Sequence, residues 1–259
     1  MTPARVVVTG AGGGIGAALA RRFAADGAEV IVNDLSAAAA EAVAAEIGGQ
    51  AIPGDAANEA DVLRLVDTAW AALGGLDLFC ANAGILAPGS EAASDAAWER
   101  AWQVNVMSHV YASRALLPRW LDTEAGGRLL LTVSAAGLLT LLGSAPYSAT
   151  KHAALAFAEW LRATYAHRGL IVQALCPQGV HTDMLNTDAD SASKAQLAEG
   201  ALEPDEVAAV VAKALHGTGF LILPHPEAAG YYQLRATEPD RWLGGMNKIQ
   251  RSFDRAGLS

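Results

Sequence analysis

Two residues in the middle of the sequence have the types and the spacing for proton transfer. Tyr147 and Lys151 stand one helical turn apart in the predicted helix 146–167, so their side chains project from the same face. A lysine cation beside a phenol favours the phenolate, which is expected to lower the pKa of Tyr147 from about 10 toward the working pH. Such a phenol suits general acid–base catalysis on an alcohol. The same pair is also common on helix surfaces, where it does no chemistry.

Two further polar residues lie where they can complete such a site. Ser134 closes the predicted strand 128–134, and the carboxyl ends of parallel strands are where open α/β sheets bind ligands. Its hydroxyl can hydrogen-bond a substrate oxygen while Tyr147 transfers the proton. Asn105 stands among apolar residues of the predicted helix 95–121, where an amide is more often a satisfied core group than a catalytic one.

A glycine cluster separates the first predicted strand from the first predicted helix. Gly10, Gly14 and Gly16 form the pattern G-x-x-x-G-x-G, in which glycine permits a tight turn and lets the backbone approach a pyrophosphate at the helix N-terminus. The literal pattern G-x-G-x-x-G is absent, because Ile15 occupies the sixth position counted from Gly10. The cluster indicates a dinucleotide site, with an ordinary tight turn as the alternative.

Asp34 ends the second predicted strand, and a carboxylate at this position discriminates between nucleotides. It can accept hydrogen bonds from both hydroxyls of an adenosine ribose, and it repels a 2′-phosphate. Neither Gly13 nor Leu35 supplies a cation that would compensate such a phosphate. These residues therefore predict NAD rather than NADP. Two alternatives are that Asp34 merely caps the helix near Ser36, and that the sheet belongs to a methyltransferase.

These residues require a framework of alternating strands and helices. Short apolar runs alternate with longer alanine-rich amphipathic stretches, which is the pattern of an α/β protein with a doubly wound parallel sheet and helices on both faces. No repeat or linker interrupts the alternation, so we expect one domain over residues 1–259, with a mobile flap at 181–203 and a tail at 224–259. We expect strands at 5–9, 29–33, 50–53, 76–81, 128–134, 170–176 and 219–223, and helices at 14–25, 36–47, 58–73, 95–121, 146–167 and 204–215.

Composition excludes several classes of protein. Of the 259 residues, 52% are hydrophobic and 17% are charged, which favours a sizeable buried core over disorder. The formal charge of −9 gives no general attraction to nucleic acid or to anionic lipid. The cysteines lack a paired spacing, no apolar run has the length of a membrane span, and no signal-peptide layout is found, so we expect a cytoplasmic protein. The histidines show no metal-ligand spacing, so we expect no metal.

In order and spacing, the singled-out residues resemble the short-chain dehydrogenase/reductase family. The resemblance rests on Thr9-Gly10-x-x-x-Gly14-x-Gly16, Asn82-Ala83-Gly84, Asn105, Ser134, Tyr147-x-x-x-Lys151 and Pro177-x-Gly179-x-x-Thr182. It implies a Rossmann-type sheet of about seven strands and an NAD-dependent oxidoreductase of secondary alcohols and ketones. Tyr147 would be the general acid/base, Ser134 would orient the reacting oxygen, and Lys151 would bind the nicotinamide ribose. Asn105 would hold the water that links Lys151 to a proton relay.

The resemblance also assigns residues to the cofactor. Asn82-Ala83-Gly84 would line the adenosine side, and Asp55-Ala56, after the third strand, would contact the adenine ring. The segment 177–182 would hold the nicotinamide carboxamide and fix the ring face that delivers hydride. The full predicted cofactor-binding set is Gly10, Gly13, Gly14, Ile15, Gly16, Asp34, Asp55, Ala56, Asn82, Ala83, Gly84, Tyr147, Lys151, Pro177, Gly179, Val180 and Thr182.

Two features depart from the pattern that is usual in this family. Many relatives have adjacent Pro-Gly where this chain has Pro177-Gln178-Gly179. Many also end soon after the last strand with a short Asp-Gly-Gly turn, whereas this chain continues for 32 residues after Glu227. The second departure leaves open whether the tail covers the pocket of its own subunit or that of a neighbour.

The predicted substrate is hydrophobic. Four leucines precede Tyr147, beside the reacting carbon in the implied fold: Leu138, Leu139, Leu141 and Leu142. Met184 and Leu185 stand on the predicted flap. An apolar pocket would select alicyclic or aryl alcohols over sugars or charged acids. The alternative is that the leucines pack in the core or in a subunit contact.

The family usually assembles as tetramers, so we expect a homotetramer or a homodimer. The contact would involve the predicted helices 95–121 and 146–167, which carry large apolar side chains. Ordinary packing of these helices on the sheet accounts for at least half of those side chains.

Two other functions stay open beside that of an alcohol dehydrogenase. One is a non-redox enzyme on the same scaffold, and the other is a catalytically silent NAD-binding sensor. The intact glycine turn together with Asp34 argues against dehalogenation, in which an anion pocket replaces the nucleotide site. The complete set of four catalytic side chains argues against a sensor.

Overall fold

A parallel β-sheet forms the centre of the structure. A computed structural model describes residues 4–121, 126–188, 191–198 and 200–258. Its strands are β1 (Arg5–Val8), β2 (Glu29–Val32), β3 (Gln50–Ala51), β4 (Leu78–Ala81), β5 (Gly127–Thr132), β6 (Leu170–Leu175) and β7 (Leu221–Ile222). They pair in the order β3-β2-β1-β4-β5-β6-β7, and each pairing is parallel. The order reverses between β1 and β4, so the predicted doubly wound, Rossmann-type fold is confirmed.

Helices cover both faces of this sheet. They are α1 (Gly14–Ala25), α2 (Ala37–Ile47), α3 (Glu59–Leu73), α4 (Asp95–Trp102), α5 (Ser108–Leu121), α6 (Ala145–Tyr165), α7 (Ser191–Leu197), α8 (Pro204–Ala214), α9 (Glu227–Thr237) and α10 (Pro239–Ala256). One face packs against α1, α2 and α8, and the opposite face packs against α3, α5 and α6. The sheet therefore lies between two hydrophobic cores.

Local sequence explains most of these elements. Val6 and Val8 belong to one core and Val7 to the other, because successive side chains of a strand point to opposite faces. A strand buried on both sides reads as a continuous apolar run. The side chain of Ser36 accepts a hydrogen bond from the amide of Ala39 at 3.3 Å and thereby caps α2.

The structure differs from the predicted elements in three places. A π-helical turn, Gln103–Met107, interrupts the predicted helix 95–121. The predicted flap contains a second π-helical turn, Met184–Asp188, and α7, while its residues 189–190 and 199 lie outside the described residues. The tail folds into α9 and α10. The apolar face of α10 that buries Met246 and Phe253 is narrow, and the many charged residues around it make its helical period hard to recognise in the sequence. No helix in the described part of the chain is long and apolar enough to cross a membrane.

Candidate active site

A cavity opens at the carboxyl ends of the central strands, next to the reversal of strand order. Its volume is about 550 Å³. The predicted site residues that line it are Gly10, Gly13, Gly14, Ile15, Gly16, Asp34, Asn82, Ala83, Gly84, Ser134, Tyr147, Lys151, Pro177, Gly179, Val180 and Thr182. The structure therefore brings together residues that lie far apart in the sequence.

The turn after β1 needs glycine for two physical reasons. Gly10 and Gly14 have φ angles of +61° and +52°, which residues with a side chain rarely adopt. At Gly16 an added Cβ would stand 2.1 Å from the carbonyl oxygen of Gly10, so the two segments could not approach each other. At Gly13 an added Cβ would meet nothing within 4 Å, so the space over this residue is open. The first turn of α1 is thus accessible to an anionic group.

Asp34 is held against this turn by backbone amides. Its Oδ2 accepts a hydrogen bond from the amide of Gly12 at 2.9 Å, and its Oδ1 accepts one from the amide of Ser36 at 2.9 Å. A Cβ at Gly12 would stand 2.9 Å from Cγ of Asp34, so glycine is required there as well. Sequence reasoning missed Gly12, although it lies inside the glycine cluster. Asp34 therefore contacts the segment before α2 and also lines the cavity, while the cap of α2 itself is Ser36.

The side chain of Asn82 joins the strand ends around the cavity. Its Nδ2 donates to the carbonyl oxygen of Thr9 at 3.0 Å, and its Oδ1 accepts a hydrogen bond from Oγ1 of Thr132 at 2.9 Å. Thr9 returns the contact, because its Oγ1 accepts hydrogen bonds from the amides of Asn82 and Ala83 at 3.0 and 3.1 Å. One amide side chain, placed directly after β4, thereby fixes the ends of β1 and β5. Sequence reasoning missed Thr132.

Ser134 and Tyr147 meet at the wall of the cavity. The hydroxyl of Ser134 lies close enough to the phenol of Tyr147 to influence its pKa, and it donates to the carbonyl oxygen of Pro177 at 3.5 Å. Ser134 has φ of 153° and is the only residue other than glycine, within the described ranges, with a positive φ. Such a backbone conformation opposes folding and persists where the surroundings enforce it. Here the amide of Ala135 donates to the carbonyl oxygen of Pro177 at 2.8 Å, and the amide of Ala136 donates to Oγ of Ser134 at 3.0 Å.

Lys151 is buried beside these two residues. It is 3% exposed, and its Nζ donates to the carbonyl oxygen of Thr132 at 3.2 Å. The same nitrogen lies 5.5 Å from the centroid of the Tyr147 ring. Burial disfavours the charged amine and lowers the pKa of Lys151 to about 8.

The pKa of Tyr147 is shifted in the direction opposite to the predicted one. Burial raises it above its ordinary value, and the nearby hydroxyl of Ser134 lowers it without outweighing burial. The spacing of Tyr147 and Lys151 in the sequence does not show how deeply the phenol is buried. This burial decides the direction of the pKa shift. The predicted lowering of the pKa of Tyr147 is therefore wrong for this structure, in which burial has the larger effect.

Asn105 lies behind the cavity and is fully buried in the first π-helical turn. Its Oδ1 accepts a hydrogen bond from the amide of Ile85 at 2.9 Å, and its Nδ2 donates to the carbonyl oxygen of Ile85 at 3.0 Å and to Oγ1 of Thr150 at 3.2 Å. A Cβ at Gly84 would stand 3.3 Å from both Oδ1 of Asn105 and Nζ of Lys151. Asn105 is thus a satisfied core amide that also borders the lysine, and π-helical turns are frequent at functional sites.

Asp55 and Ala56 are not among the residues that line the cavity. Oδ1 of Asp55 accepts a hydrogen bond from the amide of Ala57 at 2.8 Å, and its Oδ2 lies 3.6 Å from the guanidinium of Arg100. A contact of these two residues with an adenine ring stays a prediction.

Some of the apolar residues that were predicted to contact the substrate line one end of the cavity. Leu139 and Leu141 line it, together with Met184 and Leu185. Leu138 does not, because its side chain is fully buried in the core below, so for Leu138 the core-packing alternative is correct. The structure also leaves Leu142 outside the lining. Lining residues that sequence reasoning missed include Leu86, Thr140, Gln178, Asp183, Gln196 and Leu197.

The two departures from the usual family pattern contact each other. The amide of Gln178 donates to Nδ1 of His225 at 3.1 Å, and Nε2 of Gln178 donates to Oε1 of Glu227 at 2.6 Å. Nε2 of His225 faces the carbonyl oxygen of Gly200 at 3.2 Å, so this histidine ties the segment 177–182 to the end of the predicted flap. Sequence patterns could not show this contact, because Gln178 and His225 are 47 residues apart.

Comparison with known proteins assigns the family. The family model described as short chain dehydrogenase matches residues 4–193. The chain therefore belongs to the short-chain dehydrogenase/reductase family of oxidoreductases.

Individual relatives agree with this assignment. The chain is 36% identical over 244 residues to 1-deoxy-11-beta-hydroxypentalenate dehydrogenase of Streptomyces exfoliatus, covering 91% of this chain and 87% of that protein. It is 34% identical over 216 residues to meso-2,3-butanediol dehydrogenase of Serratia marcescens, covering 80% and 85%. A solved structure of a short-chain dehydrogenase/reductase from Burkholderia phymatum in complex with NAD matches with a TM-score of 0.84 at 26% identity, covering 92% of this chain and 95% of that one. Both relatives are dehydrogenases of hydroxy compounds by name.

The buried amine of Lys151 predicts a pH-dependent change in stability. A pKa of about 8 in the folded protein, against about 10.4 in the unfolded chain, means that protonated Lys151 opposes folding at neutral pH by roughly 3 kcal/mol. Between these two values the unfolded chain binds more protons, so this penalty is relieved as the pH rises. Lys151→Met removes the group, so its stability relative to wild type should be highest near pH 7 and should fall by about pH 10.5.

Urea unfolding of wild type and Lys151→Met at these two pH values measures this difference. Lys213→Met, at an exposed position of α8, is the matched control and should show no such trend. A difference between wild type and Lys151→Met that stays constant with pH would contradict the prediction.

Proposed function

We propose that this protein interconverts a hydrophobic secondary alcohol and its ketone with NAD(H), and that residues 1–259 work as one domain. The observation that carries the proposal is the contact between the Ser134 hydroxyl and the Tyr147 phenol beside buried Lys151. These groups share their cavity with Asp34, at the glycine turn. A proton-transfer group and a nucleotide-recognition group thus belong to one site.

The residues near β1 and β2 fit a dinucleotide. The space over Gly13 is open, and Asp34 borders the same space. Gly16 lies too close to Gly10 to carry a side chain of its own. Gly14 and Ile15 would hold the pyrophosphate with these residues, Asn82-Ala83-Gly84 would line the adenosine side, and the segment 177–182 with Lys151 would hold the nicotinamide end. A nicotinamide dinucleotide, when bound, supplies the acceptor or the donor of hydride.

The proposed preference for NAD over NADP rests on charge. Asp34 offers a carboxylate to the ribose hydroxyls and repels a 2′-phosphate. Lys151 is the only cation among the described residues of the cavity lining, and it lies at the proton-transfer end. Leu35, the residue next to Asp34, is 67% exposed and apolar, so it cannot compensate a phosphate.

Tyr147 is the proposed acid–base group. In oxidation its phenolate accepts the hydroxyl proton of the alcohol, and in reduction the phenol donates a proton to the ketone oxygen. Ser134, next to the same phenol in the cavity lining, would hydrogen-bond the reacting oxygen and orient it. Because burial raises the pKa of Tyr147, the phenolate needs a nearby cation, which Lys151 provides. Asn105, behind Gly84, would hold a water that links Lys151 to a proton relay.

The lining at the proton-transfer end supports a hydrophobic substrate. Its apolar side chains are Leu86, Leu139, Leu141, Met184, Leu185 and Leu197. Apart from Lys151, no lining residue that the structure describes could pair with an anionic substrate. The names of the two relatives, which act on hydroxy compounds, support an alcohol as the substrate.

We also propose that copies of the chain associate through α5 and α6. Trp160 of α6 is 54% exposed and stacks on Phe157 with ring centroids 6.4 Å apart, so the pair presents an aromatic surface to solvent. Val106 and Leu161, which are large apolar residues of the predicted helices 95–121 and 146–167, are instead buried within the chain. Light scattering during size-exclusion chromatography should give the molar mass of a tetramer or a dimer. Trp160→Glu should shift the molar mass toward that of the monomer. A monomeric wild type would contradict the proposal.

The reaction is tested by absorbance of the reduced nicotinamide, with NAD and NADP in parallel, over a panel of secondary alcohols at alkaline pH. Tyr147→Phe should lower the rate by about 10²- to 10⁴-fold, because phenylalanine cannot exchange the proton. NADH binding, measured by fluorescence, should be retained in this variant. Turnover that survives Tyr147→Phe would overturn the assigned role, and NAD binding without turnover of any alcohol would favour a sensor or a non-redox enzyme.

Replacing the carboxylate tests the nucleotide preference separately. Asp34→Asn removes the charge and keeps one acceptor oxygen, which can serve the amide of Gly12 or that of Ser36 but not both. The ratio of kcat/KM for NADP to that for NAD should rise by at least about tenfold. Glu41→Gln, at an exposed position of α2, makes the same change of charge outside the cavity and should leave the ratio unchanged. A wild type that prefers NADP would contradict the role of Asp34.

A further inference from the structure

The tail that follows β7 reaches the segment next to the catalytic residues through the side chain of Arg235. This residue lies on α9 and is half-buried. Its Nη1 donates to the carbonyl oxygen of Leu138 at 2.9 Å, and its Nη2 lies 3.1 Å from Nε2 of His152. The guanidinium therefore bridges the segment after Ser134 and the helix that carries Tyr147.

The hydrogen-bond partners of His152 define its tautomer. Its Nδ1 lies 2.8 Å from the carbonyl oxygen of Ser148, which can only accept, so Nδ1 carries the proton. Nε2 is then an acceptor for Arg235, and the imidazole is neutral. His152 and Ser148 directly follow Lys151 and Tyr147 in α6. Arg235 is thus attached to the part of α6 that bears the proposed catalytic residues.

The carbonyl oxygen to which Arg235 donates belongs to Leu138. This residue directly precedes the segment 139–141, which we call the apolar wall. Leu138 is buried in the core, whereas Leu139 and Leu141 line the cavity. At the other end of this wall, Oγ of Ser148 accepts from the amide of Leu141 and donates to its carbonyl oxygen, both at 3.1 Å. The wall is therefore attached to α6 directly at Leu141 and through Arg235 at Leu138.

We propose that Arg235 is a positioning residue. It fixes the position of the apolar wall relative to Tyr147 and thereby determines which alcohols fit into the cavity. It is not part of the cavity lining, so it acts through Leu138 and His152. Both of its partners are uncharged, and none of the ion pairs between described residues includes it. Its contribution is therefore geometric: a planar fork holds two acceptors at a fixed separation. This inference rests on the proposed function, since it concerns the substrate end of the same cavity.

Two substitutions test the inference. Arg235→Met keeps an apolar stem and removes the donors, and Arg235→Lys can satisfy one acceptor but not both. Arg241→Met is the matched control, because Arg241 lies in the same tail, is exposed and pairs only with Glu238 among the described residues. Thermal unfolding identifies any variant that fails to fold, and Arg235→Lys then carries the test.

Hydrogen–deuterium exchange gives a readout that needs no substrate. Amides of residues 138–142 should exchange at least about tenfold faster in Arg235→Met than in wild type, because the start of the segment loses the hydrogen bond at Leu138 that ties it to α9. NADH binding should stay within about twofold of wild type, since the glycine turn and Asp34 are untouched. With the bulkiest alcohol that is turned over, KM should rise by about fivefold or more while kcat changes by less than about twofold.

Each outcome decides between distinct claims. Exchange and KM equal to those of wild type would overturn the role of Arg235, and so would a loss of kcat at constant KM, which would assign Arg235 to α6 alone. A wild type that neither binds NADH nor oxidises any alcohol would remove the proposed function. The exchange measurement would still show, in that case, whether Arg235 holds the segment.

Discussion

The geometry of the cavity depends on how the ends of β1, β4 and β5 are held together. Beyond the strand ends the backbone ladder stops, and the reversal of strand order opens a crevice there, so side chains must fix the chain. Asn82 does this by donating to the end of β1 at Thr9 and accepting from the end of β5 at Thr132. The glycine turn continues from Thr9, and the carbonyl oxygen of Thr132 accepts a hydrogen bond from Lys151. One amide therefore fixes the nucleotide end relative to the proton-transfer end.

The proton-transfer end collects groups that oppose folding. Ser134 has a strained backbone, Lys151 carries its amine into the core, and the phenol of Tyr147 is buried with a raised pKa. The hydrophobic core under α5 and α6 compensates for them, which is the usual way in which proteins retain strained functional sites. The same burial strengthens electrostatic interactions, because a charge in a medium of low polarity acts over a longer distance. The features that destabilise the site are those that let a lysine act on a phenol.

Local patterns in the sequence were sufficient for the order of strands and helices and for part of the cavity lining. The glycine turn, Asp34 and the pair of Tyr147 with Lys151 could be recognised because their spacing along the chain is set by the elements that carry them. The pKa of Tyr147 could not, because it depends on burial by distant segments. The contact of Arg235 with Leu138 spans 97 residues and has no local signal. Helix α10 escaped recognition because charged residues surround its narrow apolar stripe.

The contact between Gln178 and the residues after β7 makes two segments that are distant in the sequence depend on each other. Replacing one of them with the segment of a relative therefore affects the other. The backbone amide of Gln178 has its acceptor on His225, and its side-chain amide has one on Glu227. A chimera that joined this loop to the short Asp-Gly-Gly ending of other family members would leave both donors without these acceptors. Grafting the tail onto a loop with adjacent Pro-Gly would remove the partner of His225. A chimera therefore keeps these two hydrogen bonds only when the loop and the tail that it combines carry matching residues.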